Sequence, residues 1–362
     1  MRRLLQLRTA RARAGSRVRV RPRRPKLRDE VVTLAHGAGG KSTRALVEGL
    51  FLEELGNPLL EPLGDSALLE LNGVRIAFTT DSYVVAPVFF PGGDIGELAV
   101  NGTVNDLAVA GAQPLALSAG FVIEEGFSVA DLQRIAASMA KAAAAAGVVI
   151  AAGDTKVVER GNADGLYVNT AGVGLVRAGV ALGSERVRPG DRVLVSGTLG
   201  DHGIAVMVAR GGLELEVSLD SDTAPVHELA AALLELGHAV RWMRDPTRGG
   251  LATALNELAR QANVAVVLDE SSLPLRREVV GACEILGIDP LYVANEGKLV
   301  AVVAAEVTAA ALAALRAHPL GAEAAVVGEV RAEPKGFVLL DTAFGGGRIV
   351  DMLVGDPLPR IC

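Results

Sequence analysis

Apolar and polar positions recur along the chain with periods that predict two successive α/β units. For the first unit we predict strands at 31–35, 74–82, 148–152 and 166–176, and helices at 43–55, 97–111 and 128–146. For the second we predict strands at 193–197, 264–268, 291–294, 299–304, 324–330, 336–341 and 347–353, and helices from 201 and at about 225–238, 249–261, 274–287 and 307–317. This alternation predicts an α/β fold, layered as an α+β sandwich.

Four segments follow from these patterns. Residues 1–28 form a basic extension that we predict to be disordered, residues 29–177 the first domain and residues 178–350 the second. Residues 351–362 form a tail whose two prolines, Pro357 and Pro359, exclude a helix or a central strand. We therefore predict a flexible tail.

The tail ends in an unusual terminal residue, Cys362. One interpretation is a frayed chain end with an incidental thiol. The other is a tethered substrate arm, because the eight residues 355–362, when extended, reach on the order of 25 Å. The tail alone does not decide between them.

The predicted helix at 97–111 is apolar nearly all round, which predicts that it is buried. It nevertheless contains Asn101, Asn105 and Asp106. Buried polar groups need partners, either neighbouring backbone or a ligand. Three polar residues in one buried helix favour the ligand.

Four acidic residues lie at strand ends or in this buried helix: Asp65, Asp81, Asp106 and Asp154. Carboxylates without His or Cys are typical ligands of Mg²⁺ and of the nucleotide phosphates that accompany it. After the predicted strand 148–152, the small residues Gly153 and Thr155 allow backbone to approach a ligand, and Lys156 can meet a phosphate or move a proton. These residues predict a site for ATP and Mg²⁺.

A glycine-rich segment, His36-Gly37-Ala38-Gly39-Gly40-Lys41, precedes the first predicted helix. It resembles a phosphate-binding P-loop, but Ala35 occupies the position of that motif's first glycine. We therefore interpret it as an anion-binding loop in which Gly39, Gly40 and Lys41 contact phosphates, or else as a mobile connector.

Two further turns carry candidate chemistry. Asp245 and Arg248 precede Gly249-Gly250 at a predicted helix start, which is typical of a substrate- or phosphate-contacting turn and equally of a capped helix with an ion pair. Asn295 and Glu296 follow a predicted strand, where an acidic side chain is plausible for catalysis.

Composition and charge narrow the function classes. Residues 1–28 hold twelve of the 36 basic residues and no acidic residue, which leaves 24 basic against 42 acidic residues in the body. An acidic body with 3% aromatic residues does not predict nucleic-acid binding. The extension admits four interpretations: an arm for an acidic partner, a transit peptide, a misplaced start, or disorder. No run of about 18 uncharged apolar residues predicts a membrane span, and two cysteines without a CxxC motif predict neither a disulfide framework nor a zinc site.

The motifs together resemble a known superfamily. They are GDSA at 64–67, TTDS at 79–82, NGTVNDLAVAGAQP at 101–114, AAGDTKVV at 151–158 and DPTRGGLA at 245–252, in the order and spacing of PurM-like proteins. Within that superfamily HGAGGK at 36–41, GNPLLEPLGDSA at 56–67, ANEGK at 294–298 and PRIC at 359–362 are similar to the HypE family of hydrogenase maturation proteins. The resemblance covers residues 31–362.

The resemblance implies a PurM-like two-domain fold, with N-terminal strands that pair across a homodimer, and a cytoplasmic enzyme. HypE-family proteins accept a carbamoyl group on the C-terminal cysteine from the carbamoyltransferase HypF and use ATP to dehydrate it to a thiocyanate. The cyanide then passes to iron on the HypC–HypD scaffold for [NiFe]-hydrogenase.

The residues take roles in this scheme by their motif positions. The carrier is Cys362, the base candidates are Lys156 and Glu296, and the tail or substrate contacts are Asp245, Arg248 and Asn295. The metal ligands are Asp65, Asp81, Asp106 and Asp154, and the nucleotide contacts are Gly39, Gly40, Lys41, Asp81, Asn105, Gly153, Asp154, Thr155 and Lys156.

Three rival functions stay open at this point. Another PurM-like enzyme would phosphorylate a small molecule and be indifferent to the loss of Cys362. A maturation adaptor would bind partners without hydrolysing ATP. A P-loop NTPase is the third, and Ala35 counts against it.

Overall fold

The computed structural model describes residues 27, 29–211, 218–355, 358 and 360–362. It contains two sheets that each carry helices, joined by one buried helix. The PurM-like two-domain α/β fold expected from the sequence is therefore confirmed. Most of the predicted extension, 1–26 and 28, lies outside the described residues.

The first domain is built on a five-stranded sheet. Its strands are β1 (Ala67–Leu71), β2 (Val74–Tyr83), β5 (Ala112–Glu124), β6 (Val149–Val158) and β7 (Leu166–Val176), in the order β1-β2-β7-β5-β6. A two-stranded ribbon, β3 (Phe89–Phe90) and β4 (Gly93–Asp94), precedes its first long helix. All neighbours in the sheet are antiparallel except β5 and β6, which are parallel because a helix connects them.

Helices α3 (Ile95–Val109) and α4 (Val129–Ala145) cover one face of this sheet. Asp94 caps α3 by accepting hydrogen bonds from the N–H groups of Gly96 and Glu97, and Ser128 caps α4. Every residue of α3 except Glu97 and Asp106 is buried, as its apolar pattern predicted. The reason is that α3 packs against the first sheet and also against the second domain.

The second domain is built on a seven-stranded sheet. Its strands are β8 (Arg192–Val195), β9 (Val240–Arg244), β10 (Ala265–Asp269), β11 (Val300–Val303), β12 (Ala325–Arg331), β13 (Phe337–Asp341) and β14 (Gly347–Val350), in the order β14-β13-β10-β12-β8-β11-β9. Its helices are α5 (Asp201–Ala209), α6 (His227–Leu234), α7 (Gly250–Ala262), α8 (Arg277–Leu286) and α9 (Thr308–Arg316). Helix α7 packs on one face, and α6 and α9 pack on the other.

The structure corrects several predicted elements. Residues 31–35 are not a strand, since the chain forms a 3-10 turn at Leu34–Gly37, and residues 291–294 follow a similar turn at Pro290–Tyr292. The predicted helix 43–55 is broken into α1 (Lys41–Leu46), a π-helical turn and α2 (Leu52–Glu54). Strands β1, β3, β4, β5 and β9 were not predicted. The sequence signal for β5 is weak because the strand is rich in Ala, Ser and Gly and has few β-branched residues.

Strand β6 differs most from expectation. The sequence predicted a buried strand ending at 152, but β6 continues to Val158 and is exposed at every residue before Val158. It forms the edge of its sheet and joins a broad outer face that none of the described helices covers. Phe78, Val173 and Val149 form one row across this outer face. Among the described helices, none is long and apolar enough to cross a membrane.

Close packing of α3 against α4 generates a prediction at Gly96. A Cβ there would lie 2.5 Å from the carbonyl oxygen of Ile135, whereas a Cβ at Gly281 in α8 would meet nothing within 4 Å. Gly96→Ala should therefore lower the free energy of unfolding by about 1–3 kcal/mol. Gly281→Ala, the matched control, should raise it by roughly 0.5–1 kcal/mol because alanine favours the helix. Denaturant titration measures both, and equal effects would contradict this account of the packing.

Candidate active site

Three carboxylates meet between the two domains. Asp65 precedes β1, Asp106 lies on α3 and Asp245 follows β9, and one carboxylate oxygen of each lies within 4.8 Å of the others. The hydroxyl of Thr79 donates to Asp106 Oδ2 at 2.6 Å and holds that carboxylate in place. Two of the four predicted metal ligands, Asp65 and Asp106, are therefore brought together, and Asp245 joins them.

The electrostatics of this cluster favour a bound cation. Burial and then the neighbouring acidic groups raise the pKa of both Asp106 and Asp245 well above the ordinary range. Arg244 offsets part of this charge, because its Nε lies 2.9 Å from Asp65 Oδ1 and its Nη1 lies 2.6 Å from Glu257. Oxygen ligands that repel one another are suited to a hard divalent cation.

Asp81 lies on β2, close enough for its charge to raise the pKa of both Asp106 and Asp245. The Tyr83 hydroxyl donates to Asp81 Oδ2 at 3.2 Å. That hydroxyl occupies a notch in α3 at Gly102, where a Cβ would lie only 2.2 Å from it. The glycine of the NGTVND motif thus makes room for the side chain that orients Asp81.

A cavity of about 480 Å³ opens over the carboxylates. A second cavity of about 280 Å³ shares Gly39, Thr43 and Arg244 with it and has an apolar wall that includes Leu59 and Leu60. A polar, acidic chamber beside an apolar one matches the shape and chemistry of a nucleotide with its phosphates.

The tail docks next to this site, in a cavity that shares Gly37 and Arg248 with the cavity over the carboxylates. Cys362 is buried, and its carbonyl oxygen accepts a hydrogen bond from the N–H of Val84 at 3.1 Å. Two residues earlier, the Arg360 carbonyl accepts from the N–H of Ala86 at 3.2 Å and also from the Arg210 guanidinium. Arg360 donates to the Val84 carbonyl at 3.1 Å, forms an ion pair with Asp164, and has a left-handed backbone with φ of 56°.

The Cys362 thiol meets Glu296 and Arg248 at the end of this path. Burial, with Glu296 and Asp81 nearby, raises the pKa of the thiol to about 12, although Arg248 opposes the shift. Burial and then the charges of Asp245 and Asp222 raise the pKa of Glu296 well above its ordinary range. Arg248 lines both the 480 Å³ cavity and the tail cavity of about 120 Å³, so it lies between the carboxylates and the thiol.

A buried ion pair that sequence reasoning missed holds the Glu296 loop. Asp222 accepts a hydrogen bond from the N–H of Glu296 at 3.1 Å and from Lys298 Nζ at 2.9 Å. Burial, the largest single influence, would raise the pKa of Asp222, but Lys298, His202 and the N–H of Glu296 together lower it below its ordinary value. Lys298 within ANEGK was a usable signal, whereas nothing in the sequence around 222 marks its partner.

The structure does not bring Asp154 and Lys156 to this cluster within one chain. Asp154 is in register with Gly120, Asn169 and Ser82, so it lies three strands, or roughly 14 Å, from β2. It points to the outer face, while Asp81 points towards α3. The side chains of Asp154 and Lys156 are 70% and 68% exposed and pair with each other at 2.7 Å. Gly153 and Thr155 share this exposed edge strand.

The glycine-rich segment is also placed differently from the prediction. A Cβ at Gly39 would lie 2.6 Å from the Arg248 carbonyl, and a Cβ at Gly40 would lie 2.2 Å from the Leu353 carbonyl. These glycines allow the loop to pack on the turn that contains Arg248 and on the start of the tail at Leu353. Gly39 also lines the cavity of about 480 Å³. Lys41 forms an ion pair with Asp351 in this structure.

Two asparagines predicted as ligand contacts are engaged by backbone instead. The amide of Asn105 donates to the carbonyls of Ala224 and Glu296 at 3.0 Å each and accepts from the N–H of Val226 at 2.7 Å. Asn295 accepts from the N–H of Gly200 at 2.8 Å and donates to the Pro246 carbonyl at 2.8 Å. Both residues hold loops around the site, and for Asn105 backbone partners were the alternative left open from the sequence.

Family models match both domains. The N-terminal domain model of AIR synthase related proteins matches residues 63–176, and the C-terminal domain model matches residues 188–341. The two-domain fold, with its acidic cluster at the junction, therefore defines a protein of the AIR synthase related class.

Relatives resolve the class further. Carbamoyl dehydratase HypE of Bradyrhizobium diazoefficiens is 56% identical over 337 residues, which are 93% of this chain and 97% of that protein. A HypE–HypF complex structure matches with 47% identity and a TM-score of 0.82, over 85% of this chain and 100% of that one. A HypE structure in complex with ATP has 47% identity and a TM-score of 0.77, over 92% and 100%. This chain belongs to the HypE family.

The raised pKa of the Cys362 thiol predicts how tail docking depends on pH. The Cys362 thiol has a pKa of about 12 in the docked tail, against 9.0 for a free thiol, so docking favours the protonated thiol. Docking should be fully favoured below pH 9 and should weaken about tenfold per pH unit as the pH rises from 9 towards 12.

Alkylation by iodoacetamide measures this dependence. In a Cys283→Ala background every adduct reports Cys362, the remaining cysteine. We expect the rate to keep rising above pH 9, whereas a synthetic peptide of the tail should level off near its own thiol pKa. A plateau at the same pH in protein and peptide would show that the thiol is not protected by docking.

Proposed function

We propose that this protein is an ATP-dependent carbamoyl dehydratase that supplies cyanide ligands for the iron of [NiFe]-hydrogenase. The observation that carries the proposal is the docking of the Cys362 thiol beside Glu296, with Arg248 between it and the acidic cluster. A terminal thiol buried next to an acid and a nucleotide-sized cavity is the arrangement expected for a carrier that presents its own substrate. Family membership supports the same activity.

The chemistry requires activation of a poor leaving group. The S-carbamoyl oxygen attacks the γ-phosphorus of ATP, the bond to ADP breaks, and one N–H proton leaves, which gives an O-phosphorylated imidate. Loss of the second N–H proton forms the C≡N bond as the C–O bond breaks and phosphate departs. One carbamoyl group and one ATP thus become one thiocyanate, ADP and phosphate.

Glu296 is the base that we propose for proton removal. It is the buried carboxyl group nearest the docked thiol, and its Oε1 has no hydrogen-bond partner among the described residues. A carboxylate with a raised pKa is a stronger base than an ordinary one. Lys156, the other base predicted from the sequence, is exposed on the outer face.

Asp65, Asp106 and Asp245 are the residues that we propose to hold Mg²⁺, with Asp81 next to them. Their oxygen-only donor set and their mutual repulsion fit a divalent cation. When bound, Mg²⁺ would neutralise charge on the transferred phosphoryl group. Asp245 replaces Asp154 as a ligand in this scheme.

A homodimer is proposed from the outer face of the first sheet. Edge strand β6 offers unpaired backbone groups, and the row through Phe78, Val173 and Val149 offers apolar surface to a second copy. Because Asp154 and Lys156 lie on this same face, any part that they take in the reaction depends on the dimer. The HypC–HypD scaffold as cyanide acceptor and a cytoplasmic location stay predictions from the family.

Intact mass tests the function directly. The protein is incubated with HypF, carbamoyl phosphate and ATP, and we expect carbamoylation of Cys362 followed by ATP-dependent loss of one water. Glu296→Gln should load normally but dehydrate at least about a hundredfold more slowly, because the amide cannot accept the proton.

Two of the rival functions predict a different result in the mass measurement. An adaptor would load without losing water, and a small-molecule kinase would not load at all while HypF is active. A Glu296→Gln variant that dehydrates at the wild-type rate would exclude Glu296 as the base.

The metal ligands are tested by paired substitutions. Asp245→Asn should weaken Mg²⁺-dependent dehydration roughly tenfold or more, and excess Mg²⁺ should restore part of the rate because the site keeps two carboxylates. Dehydration by the loaded protein is followed against Mg²⁺ concentration after treatment with EDTA. Asp164→Asn is not a suitable control, because it contacts the tail, whereas Asp131→Asn on exposed α4 should leave the curve unchanged.

The dimer is tested on the same outer face. Val173→Glu should place a charge at the centre of the apolar row and shift the protein towards monomer. Val129→Glu, an exposed valine on α4, serves as the matched control. Light scattering after size-exclusion chromatography gives the mass, and an unchanged dimer in Val173→Glu would exclude this interface.

A further inference from the structure

His202 lies where three segments meet. It is the second residue of α5, it is fully buried, and Phe90 packs against its ring edge-on with the ring centroids 5.5 Å apart. Neither the acidic cluster nor Glu296 uses it, so the position of this imidazole needs another explanation.

Both ring nitrogens of His202 are engaged. Nδ1 lies 2.7 Å from Ser221 Oγ, and Nε2 lies 2.5 Å from the carbonyl oxygen of Ile361, the residue before the carrier cysteine. A carbonyl can only accept, so Nε2 must carry a proton. Ser221 Oγ already accepts from the N–H of Thr223 at 3.1 Å, so its own proton is available for Nδ1.

These bonds define one tautomer. Nδ1 accepts from Ser221, and Nε2–H donates to Ile361, which is a neutral ring; burial, the largest influence, lowers the pKa of His202 and agrees with this state. The Ile361 carbonyl thus selects the tautomer that carries the proton on Nε2, and Ser221 supports it by donating to Nδ1.

We propose that His202 is a positioning residue for the carrier: through the Ile361 carbonyl it fixes the last residue of the tail so that the loaded sulfur stays beside Glu296. The inference rests on the proposed function, because it assigns His202 to the delivery of that substrate. His202 takes no part in bond making.

The energetic effect of this contact falls on the docked state. Ile361 is buried when docked, so loss of the His202 donor leaves its carbonyl without that partner. In the undocked tail the same carbonyl binds water. Removing the imidazole therefore shifts the tail towards the undocked state. Other described contacts of the docked tail include the backbone N–H groups of Val84 and Ala86, which substitution does not remove, and the Arg210 guanidinium.

The first experiment measures docking without catalysis. In the Cys283→Ala background, iodoacetamide alkylation of Cys362 at pH 8 should be about tenfold faster in His202→Leu than in the parent. His202→Gln should stay within about threefold, because its amide can donate where Nε2 did. His238→Leu makes the same change at an exposed histidine and should alter nothing.

The second experiment measures single-turnover dehydration of protein already loaded by HypF. His202→Leu should dehydrate about tenfold more slowly, with rescue in His202→Gln. If thermal denaturation shows that His202→Leu is not folded, the test uses His202→Gln and Ser221→Ala instead. Ser221→Ala should alkylate faster, since Nδ1 loses the donor that supports the tautomer with its proton on Nε2.

The outcomes separate the two proposals. Suppose that the wild type dehydrates its carbamoyl group, and that folded His202→Leu and Ser221→Ala show unchanged rates of alkylation and dehydration. This result would overturn the role of His202 and leave the proposed function intact. Faster alkylation in these variants would support the role of His202 in docking even if the wild type failed to dehydrate, a failure that would overturn the function.

Discussion

The burial of helix α3 between two sheets is the constraint on which the site depends. One helix of fifteen residues, packed on both sides, needs partners from neighbouring elements for the polar side chains that it carries. Asn105 does so by binding three backbone groups of the second domain, and Asp106 does so through Thr79. The same contacts fix the distance between the domains and therefore the position of Asp245 opposite Asp65.

Repulsion between the carboxylates becomes useful because of this rigidity. Asp65, Asp106 and Asp245 come from three separate elements, and each would relax into water if its element could move. Held together, they store electrostatic energy that a divalent cation releases on binding. Arg244 balances part of the charge through Asp65 and Glu257 and leaves the remaining oxygens free to act as ligands.

The sequence predicted the fold class, most helices and two of the three clustered carboxylates, Asp65 and Asp106, because helical periodicity and strand-end acids are local signals. The N-cap Ser128 and the apolar run of α3 are examples. Predictions failed where partners come from distant segments. The Asp222–Lys298 pair joins residues 76 positions apart, and the His202 contact joins residues 159 apart, which no local pattern encodes.

Asp154 and Lys156 illustrate a second kind of failure. Their motif was identified, yet the face towards which an edge strand points depends on register across four strands. The sequence also could not show that Gly39 and Gly40 are required by the close approach of two carbonyls, since glycine-rich loops look alike before packing is known.

The left-handed backbone of Arg360 has a consequence for turnover. An arginine in that conformation costs on the order of 1 kcal/mol. This backbone strain raises the free energy of the docked tail and so weakens docking. In the cycle proposed above, the carrier visits a donor, the ATP site and an acceptor and has to leave each of them, so excessive affinity at any one would stop the cycle. Strain at Arg360, the third residue from the chain end, makes it easier for the tail to undock. The contacts of Ile361 and Cys362 still position the docked thiol accurately.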